Sequence, residues 1–505
     1  MEAIMKKRLI SLVVLLAMGT IFVSSCGQGS NKPGDVTTND NSSETTAPAD
    51  DDPFEKDSLP ELNFNGETIN VLYREDVLDS FYAAEQTGEI VGDAVYKAVR
   101  ATEDRIGVTI NPITMAGTAN ADRENFVNAI ANSVIAGDDS YDLCGVLTFN
   151  VPSLIQKGVL SNLMELPHVD FDKPWWTSDL TDLATVDGKL YMASGDISLE
   201  LTQKIFCMLF DKKLAEIVNA GDIYGLVSDG KWTLDKASEI AASAYSDLNG
   251  NGKVDPEDRF GMVINDYNQI SGFIGSLDVK LGEKNTDGDW RYAGGNESTT
   301  EKMQKLVKTF KDIPGVFYMS KSDANPSDVA ENHEIYRSLF KNDQVLFIST
   351  EFNQIITNYR DMTSEYGVIP YPKYDEAQSD YYTIARNTYS SFVVPKTCQK
   401  QEAAGALMEA LASQNYRSTS RTYFETALKV KYSHDDASSQ MYDIIKNGLK
   451  FNFMFTYSGV AGNVANTFND VVNKHNENWA SESAKVQKSI DKSLEKFYED
   501  VRSQG

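Results

Sequence analysis

The sequence FKNDQVLFISTEFN at positions 340–353 sets the expectation for the whole fold. Its apolar run 344–350 is typical of a buried β-strand. The strand is followed by Glu351, Phe352 and Asn353, which we expect to form an exposed polar and aromatic tip. A buried strand that ends in such a tip is suited to presenting side chains to a ligand.

Two further short strands follow, and prolines close both of them. The strand 366–369 runs into Pro370 and Pro372, and the strand 391–394 is followed by Pro395. Proline ends strand pairing because it has no N–H to donate. Together with the strand before them, these elements predict a chain that crosses between two lobes with a ligand between them.

Length and charge limit the classes of protein that fit. The chain has 505 residues and 41% apolar content, more than one ordinary domain needs, so two lobes are expected. The formal net charge of −27 argues against nucleic acid or an anionic membrane surface as a direct partner.

The N-terminal segment has the pattern of a targeting sequence. Lys6, Lys7 and Arg8 precede an apolar stretch, 9–23, that is too short to span a bilayer comfortably. Small residues then lead to Cys26, a pattern that resembles a bacterial lipobox, in which the cysteine thiol takes a diacylglyceryl group. We therefore predict a lipoprotein signal peptide at 1–25 and lipidation of Cys26.

Two alternatives stay open at this end of the chain. One is an ordinary secretory signal with an incidental cysteine, and the other is a start at Met5. Residues 26–58 are rich in Gly, Ser, Thr, Asn and Asp, cannot bury an apolar face, and predict a disordered tether.

Three cysteines remain after Cys26, and each lies in or just after an apolar segment. They are Cys144, Cys207 and Cys398. An odd number excludes a complete disulfide framework, so we expect at least one of them to be a buried free thiol.

The first half of the chain predicts a parallel sheet. A strand at 68–73, a helix at 93–106 and a strand at 108–113 follow one another, and Gly107 caps the helix. The same helix–strand pattern recurs at 122–136 and 141–146. Such βαβ units form parallel sheets.

Polar and aromatic residues follow two of these strands. Arg74 and Glu75 come after the first strand, and Phe149 and Asn150 after the third. Because ligands bind at the carboxyl ends of the strands in open α/β sheets, these four residues are site candidates. Further along, we place the first crossing between lobes at 196–204 and two amphipathic helices in the tail.

A single stretch has metal-ligand spacing. DLNGNGKVDPED at 247–258 places oxygen-bearing side chains round a twelve-residue loop with a glycine at its sixth position, as Ca²⁺ requires. The predicted ligands are the side chains of Asp247, Asn249, Asn251 and Asp258, the carbonyl of Lys253, and Asp255 directly or through water. The ion would be structural, and the alternative is a polar Asn-Gly turn.

No catalytic pattern is present in the sequence. The four histidines lack neighbours at metal or triad spacing, and nucleophile-elbow and phosphate-loop motifs are absent. The carboxylates that stand out at the ends of apolar segments are Glu75, Asp196 and Glu351, which lie beside aromatic and amide residues. This arrangement suits hydrogen bonds to hydroxyl groups, and we predict that the protein is not an enzyme.

Several segments together resemble a known family. The lipobox at Cys26, YDLCGV (141–146), DGKLYMASGD (187–196), DLNGNGKVDPEDRFG (247–261) and YGVIPYPKYDEAQSDYY (366–382) are similar to extracellular solute-binding proteins of ABC importers, above all the carbohydrate-binding group that includes maltose-binding protein. The resemblance implies an α/β, type II periplasmic-binding-protein-like clamshell of two lobes, with mixed sheets flanked by helices and a helical C-terminal tail.

The resemblance also implies a division of the chain. Lobe 1 would comprise 59–196 plus 385–413, and lobe 2 would comprise 197–384 plus 414–505. The protein would be held by its lipid at the extracytoplasmic face of the cell membrane and would deliver its solute to the transmembrane permease subunits.

The family's ligand contacts, aromatic rings on sugar faces and polar groups on hydroxyls, carry over by position. They fall on Arg74, Glu75, Phe149, Asn150, Asp196, Asn265, Tyr267, Glu351, Phe352 and Asn353, with Arg386 beside the second crossing. Trp175 and Trp176 either stack on a sugar or belong to the core.

The resulting prediction is a binding protein for a carbohydrate, an oligosaccharide in particular. The alternatives are a binding protein for a peptide or other polar solute, a surface glycan-active enzyme, and a surface adhesin. An enzyme would need two carboxylates facing one cleft, and an adhesin would show a flat exposed aromatic patch.

Overall fold

The computed structural model describes residues 54–318, 329–431 and 435–504. The predicted signal peptide at 1–25, the lipidation site Cys26 and most of the predicted tether at 26–58 lie outside the described residues. Within those three ranges, no helix is long and apolar enough to cross a membrane.

Strands and helices are numbered along the chain. The strands are β1 Glu67–Arg74, β2 Val108–Met115, β3 Leu143–Leu147, β4 Phe206–Asp211, β5 Phe260–Ile264, β6 Gly282–Lys284, β7 Trp290–Tyr292, β8 Val316–Tyr318, β9 Val345–Glu351, β10 Tyr366–Ile369 and β11 Ser390–Val393. The helices are α1 Ile90–Ile106, α2 Asn120–Ala136, α3 Val151–Gln156, α4 Ser178–Ala184, α5 Glu200–Gln203, α6 Lys212–Ile217, α7 Ile223–Ser228, α8 Leu234–Ala244, α9 Gly272–Ser276, α10 Glu297–Asp312, α11 Val329–Lys341, α12 Phe352–Asn358, α13 Gln401–Arg417, α14 Thr419–Arg421, α15 Asp436–Asn447, α16 Phe453–Thr456, α17 Val464–Asn473 and α18 Trp479–Ser503.

The first sheet has the order β11-β3-β1-β2. β1 pairs parallel with β2 and with β3, and β11 pairs antiparallel with β3. The predicted βαβ units and parallel pairing are therefore confirmed. Side chains on the central strands, such as Ile69, Val71 and Leu143, are fully buried, because helices cover both faces of such a sheet.

Glycines end the two helices that connect these strands. Gly107 after α1 has a φ of 68° and Gly137 after α2 a φ of 74°. Both are left-handed conformations that residues with a Cβ adopt at a cost, which explains why glycine is found there.

The second sheet has the order β10-β4-β9-β5-β8. β5 is parallel to β8 and β9, whereas β4 is antiparallel to β9 and to β10. The strands predicted at 344–350 and 366–369 thus lie in this sheet, and the strand predicted at 391–394 lies in the first one, as expected.

The two segments that cross between the sheets lie side by side. Lys204 accepts a backbone hydrogen bond from Arg386 at 2.8 Å, and Phe206 donates one to Ile384 at 3.2 Å. Ile205 and Ala385 form the bridge between these bonds. We call residues 204–206 the first crossing and residues 384–386 the second crossing.

The C-terminal stretch is helical, as predicted, and the segment of its last helix, α18, contacts α3 and β7. Gln504, just after α18, donates to the Ile155 carbonyl of α3 at 2.7 Å. Tyr498 in α18 accepts a hydrogen bond from the backbone of Trp290 in β7 at 2.8 Å. The architecture is therefore α/β, with two mixed sheets flanked by helices and a helical C-terminal stretch.

Candidate functional site

Charged and aromatic residues stand where parallel strands of both sheets end. Arg74 ends β1, Phe149 follows β3, Asp266 follows β5 and Glu351 ends β9. The second crossing adds Arg386. We call these five residues the strand-end site, since the carboxyl edge of the strands is where open α/β sheets bind ligands.

Arg74 is buried and already paired within the protein. Its Nη2 lies 2.5 Å from Glu200 Oε2 and donates to the Thr388 carbonyl at 3.2 Å. Glu200 is fully buried and also accepts from the Tyr73 hydroxyl at 2.5 Å. Burial, followed by the negative charge of Glu200, raises the pKa of Tyr73 well above its usual value. The network joins β1 to α5, which directly precedes the first crossing, and little of Arg74 is left to bind a ligand.

A second network joins the two crossings to the second sheet. Arg386 Nη1 lies 3.1 Å from Glu351 Oε1 and 3.3 Å from Asp266 Oδ2. Lys204 Nζ lies 3.7 Å from Glu351 Oε2, an oxygen without a hydrogen-bond partner among the described residues. Burial lowers the pKa of Arg386, but the charges of Glu351 and Asp266 outweigh it, so the pKa is raised. Arg386 is therefore a fixed cation between the sheets.

The exposed tip predicted at 351–353 is wrong for two of its three residues. Glu351 and Phe352 are fully buried. Helix α12 begins directly after β9, so the Phe352 side chain turns inward and packs 5.4 Å from the Tyr442 ring and 6.2 Å from the Phe424 ring. Asn353 is half-buried, and its Oδ1 has no hydrogen-bond partner in the described part of the chain.

Phe149 and Asn150 follow β3 as predicted, and both are half-buried. The Arg123 guanidinium carbon of α2 lies 5.3 Å from the centre of the Phe149 ring. A Cβ added to Gly459 would lie 2.5 Å from the Phe149 carbonyl oxygen, so the loop between α16 and α17 packs closely against this residue. The C-terminal stretch thus forms one side of the strand-end site.

The residues predicted after β5 are largely engaged. Asn265 is 2% exposed, and its backbone donates to Ser349 Oγ at 2.9 Å. The Tyr267 hydroxyl donates to Asp470 Oδ1 of α17 at 2.7 Å. Burial, together with Asp470, raises the pKa of this hydroxyl. Tyr267 is half-buried, so its ring rather than its hydroxyl is left for a ligand.

The tryptophan pair lies in the core, which supports the core alternative. Trp175 and Trp176 are 0% and 3% exposed, and Trp176 Nε1 donates to Glu409 of α13 at 2.9 Å. Asp196 lies beside them, with its backbone N–H bonded to the Trp175 carbonyl. Burial raises the pKa of Asp196, although Lys446 and Ser420 lower it. None of these contacts is with the strand-end site.

Glu75 is exposed and begins a short turn after β1.

Four residues at or near the site were not predicted from the sequence: Glu200, Lys204, Asp266 and Arg123. Asp266 lies two residues after β5 ends, so its position was a usable signal. The other three have no local signal, because their role depends on partners far along the chain.

The predicted calcium loop folds back on itself. Asp247 accepts backbone hydrogen bonds from Gly250 and Gly252, each at 2.8 Å. Hydrogen bonds from the Asn251 side chain and the Glu257 backbone hold the pKa of Asp255 below its usual value.

Asp258 is fully buried, and its Oδ1 has no hydrogen-bond partner among the described residues. In the same part of the chain, no group of three or more His, Cys, Asp or Glu side chains is arranged to hold a metal. The loop's oxygen donors nevertheless include two asparagine amides and a lysine carbonyl. This all-oxygen set fits the chemistry of Ca²⁺.

Comparison with known proteins identifies the class of fold. No protein-family model and no curated protein sequence matches this chain. Solved structures do match, and the fold is that of the type II periplasmic-binding proteins.

Three of these structures are binding proteins with a sugar in their name or bound to them. The galacto-N-biose-/lacto-N-biose I-binding protein of the Bifidobacterium longum ABC transporter, solved with lacto-N-biose, has a TM-score of 0.54 at 14% identity, covering 86% of this chain and 98% of that chain. An ABC substrate-binding protein of Listeria monocytogenes in complex with cycloalternan has a TM-score of 0.53 at 14% identity, covering 85% and 99%. The cyclic alpha-maltosyl-1,6-maltose binding protein of Arthrobacter globiformis has a TM-score of 0.53 at 13% identity, covering 87% and 99%. These are binding proteins rather than enzymes.

Proposed function

We propose that this protein captures an oligosaccharide between its two sheets and delivers it to the permease subunits of an ABC importer. The observation that carries the proposal is the strand-end site, where fixed charges and an aromatic ring converge beside two adjacent crossings. Such groups suit a sugar, whose ring faces are apolar and whose hydroxyls need hydrogen-bond partners. The same fold in three sugar-binding proteins supports this choice of solute.

A thermal-shift screen against a panel of glycans tests the proposal. A ligand that binds only the folded protein at 100 times its dissociation constant stabilises it by about 2.7 kcal/mol, which raises the melting temperature by several degrees. We expect at least one oligosaccharide to do this. If peptides raise the melting temperature and no glycan does, the solute is a peptide and the carbohydrate proposal is wrong.

We further propose that Cys26 is lipidated and holds the protein at the extracytoplasmic face of the membrane. The support is the order of the basic segment, apolar segment, small residues and cysteine at 6–26. In cell fractionation, Cys26→Ala should move the protein from the membrane fraction to the soluble one. An unchanged distribution would contradict the anchor.

We also propose that the loop 247–258 binds one structural Ca²⁺. The unpaired buried oxygen of Asp258 and the all-oxygen donor set support it. Equilibrium dialysis should find one ion per chain, lost in Asp247→Ala and kept in Asp229→Ala, which changes an exposed residue outside the loop. Absence of binding at millimolar Ca²⁺ would reject the site.

A further inference from the structure

Arg123 stands out among the cations near the strand-end site because it has no carboxylate partner among the described residues. Its Nη1 donates to the Asn120 side chain at 3.1 Å, and its Nε is buried without a hydrogen-bond partner in the same part of the chain. Its guanidinium lies 5.3 Å from the Phe149 ring centre. These contacts hold the side chain in place but leave its charge uncompensated.

The neighbouring cations differ in this respect. Arg74 is paired with Glu200 at 2.5 Å, and Arg386 with Glu351 at 3.1 Å. Burial, together with the positive charges of Arg386 and Arg74, lowers the pKa of Arg123. The positive charges of Arg386 and Arg74 therefore act on the Arg123 guanidinium.

The acidic groups of the strand-end site, and Asp76 beside Arg74, already have partners in the protein. Asp266 and Glu351 are committed to Arg386. Asp76 accepts a hydrogen bond from Thr118 at 2.6 Å and lies 3.6 Å from Arg74. The protein has a net charge of −27, yet this partly buried arginine beside the binding site has no carboxylate partner among the described residues. An anionic ligand would compensate its positive charge.

We propose that the bound oligosaccharide carries an anionic group, a uronate carboxylate or a sulfate ester, that pairs with Arg123. The inference rests on the proposed function and makes its solute more specific. A guanidinium presents a planar pair of N–H donors that match two oxygens of a carboxylate or a sulfate. The ring of Phe149 would then lie beside the same sugar unit.

Isothermal titration calorimetry with the full chain tests this inference. The probes are a neutral maltooligosaccharide, an oligogalacturonide and a carrageenan oligosaccharide of matched length, the last carrying sulfate esters and no uronate. We expect one of the two anionic probes to bind at least tenfold more tightly than the neutral one, and the probe that does so identifies the carboxylate or the sulfate. Arg123→Gln should weaken that binding roughly tenfold to hundredfold, because a charge-assisted hydrogen bond is lost.

Two further variants serve as controls. Arg123→Lys retains the charge without the planar donor pair and should bind with intermediate affinity. Arg105→Gln, near the C-terminal end of α1, changes an arginine that is paired with Asp57 away from the strand-end site and should bind like the parent. Melting temperatures of all variants confirm that they fold.

Two outcomes would overturn the inference while the proposed function stands. In the first, neutral probes bind as tightly as anionic ones. In the second, Arg123→Gln weakens the binding of neutral and anionic probes equally. If no glycan of either class binds, the proposed function fails and the inference falls with it.

Discussion

At the residue scale, the buried Arg74–Glu200 pair connects the first strand to helix α5, directly before the first crossing. Both side chains are at most 3% exposed. Removing one member of such a pair leaves an uncompensated buried charge, which costs about 3–5 kcal/mol. The pair is therefore a structural requirement rather than a ligand contact.

Replacement of Glu200 tests this role. Glu200→Gln should lower the free energy of unfolding by about 3 kcal/mol, measured by urea denaturation, because Arg74 loses its anionic partner. Glu85→Gln, at an exposed position, should change it by less than about 0.5 kcal/mol. Equal stability of the two variants would show that the pair contributes nothing.

Substitutions at Phe352 and Phe149 distinguish a side chain that packs in the core from one that contacts the solute. Phe352→Ala should cost about 3–5 kcal/mol of stability, because the ring fills a core position between Tyr442 and Phe424. Phe149→Ala should cost about 1 kcal/mol, since the ring is half-buried, yet weaken solute binding roughly fivefold. Denaturation and calorimetry on both variants measure the two effects, and the reverse pattern would place the ligand at Phe352 instead.

At the element scale, two helix ends share a left-handed glycine but differ in their surroundings. A Cβ at Gly107 would clash with the Asn63 side chain, whereas a Cβ at Gly137 would meet no atom within 4 Å. The helix–strand connection after α1 is therefore more tightly packed than the one after α2.

Alanine substitutions at Gly107 and Gly137 measure this difference in packing. Gly137→Ala should lower the free energy of unfolding by about 1–2 kcal/mol through its positive φ alone. Gly107→Ala should lower it further, because Asn63 must also move. Chemical denaturation of the two variants gives both values, and a smaller loss at Gly107 would mean that the Asn63 loop adjusts freely.

At the scale of the whole molecule, helix α18 joins parts of the chain that are far apart in sequence. Arg502 lies 2.8 Å from Asp187, after α4, and 2.7 Å from Asp289, before β7. Leu494 and Phe497 are fully buried. The helix therefore belongs to the core as well as to the surface.

Truncation after residue 478, which removes helix α18, tests how much this helix contributes to stability. Loss of the buried α18 side chains should remove the cooperative thermal transition or lower the melting temperature by more than 10 °C, because several large apolar groups leave the core. Lys488→Ala, an exposed change on the same helix, should leave the transition unchanged. A truncated chain that melts like the parent would contradict this role.

Local patterns in the sequence determined most of the elements. Hydrophobic periodicity placed β1, α1 and β2 to within a few residues, and glycines marked the helix ends. These signals are reliable because neighbouring residues alone decide them.

The candidate site depended on contacts that no local pattern records. The Arg74–Glu200 bond joins residues 126 positions apart, and the charge of Arg386 in the second crossing lowers the pKa of Arg123 in α2. The sequence by itself determined which strands end in polar groups. Only the tertiary structure decided which of those groups are buried in pairs, as Arg74 and Glu351 are, and which cation is left unpaired, because burial and pairing depend on distant parts of the chain.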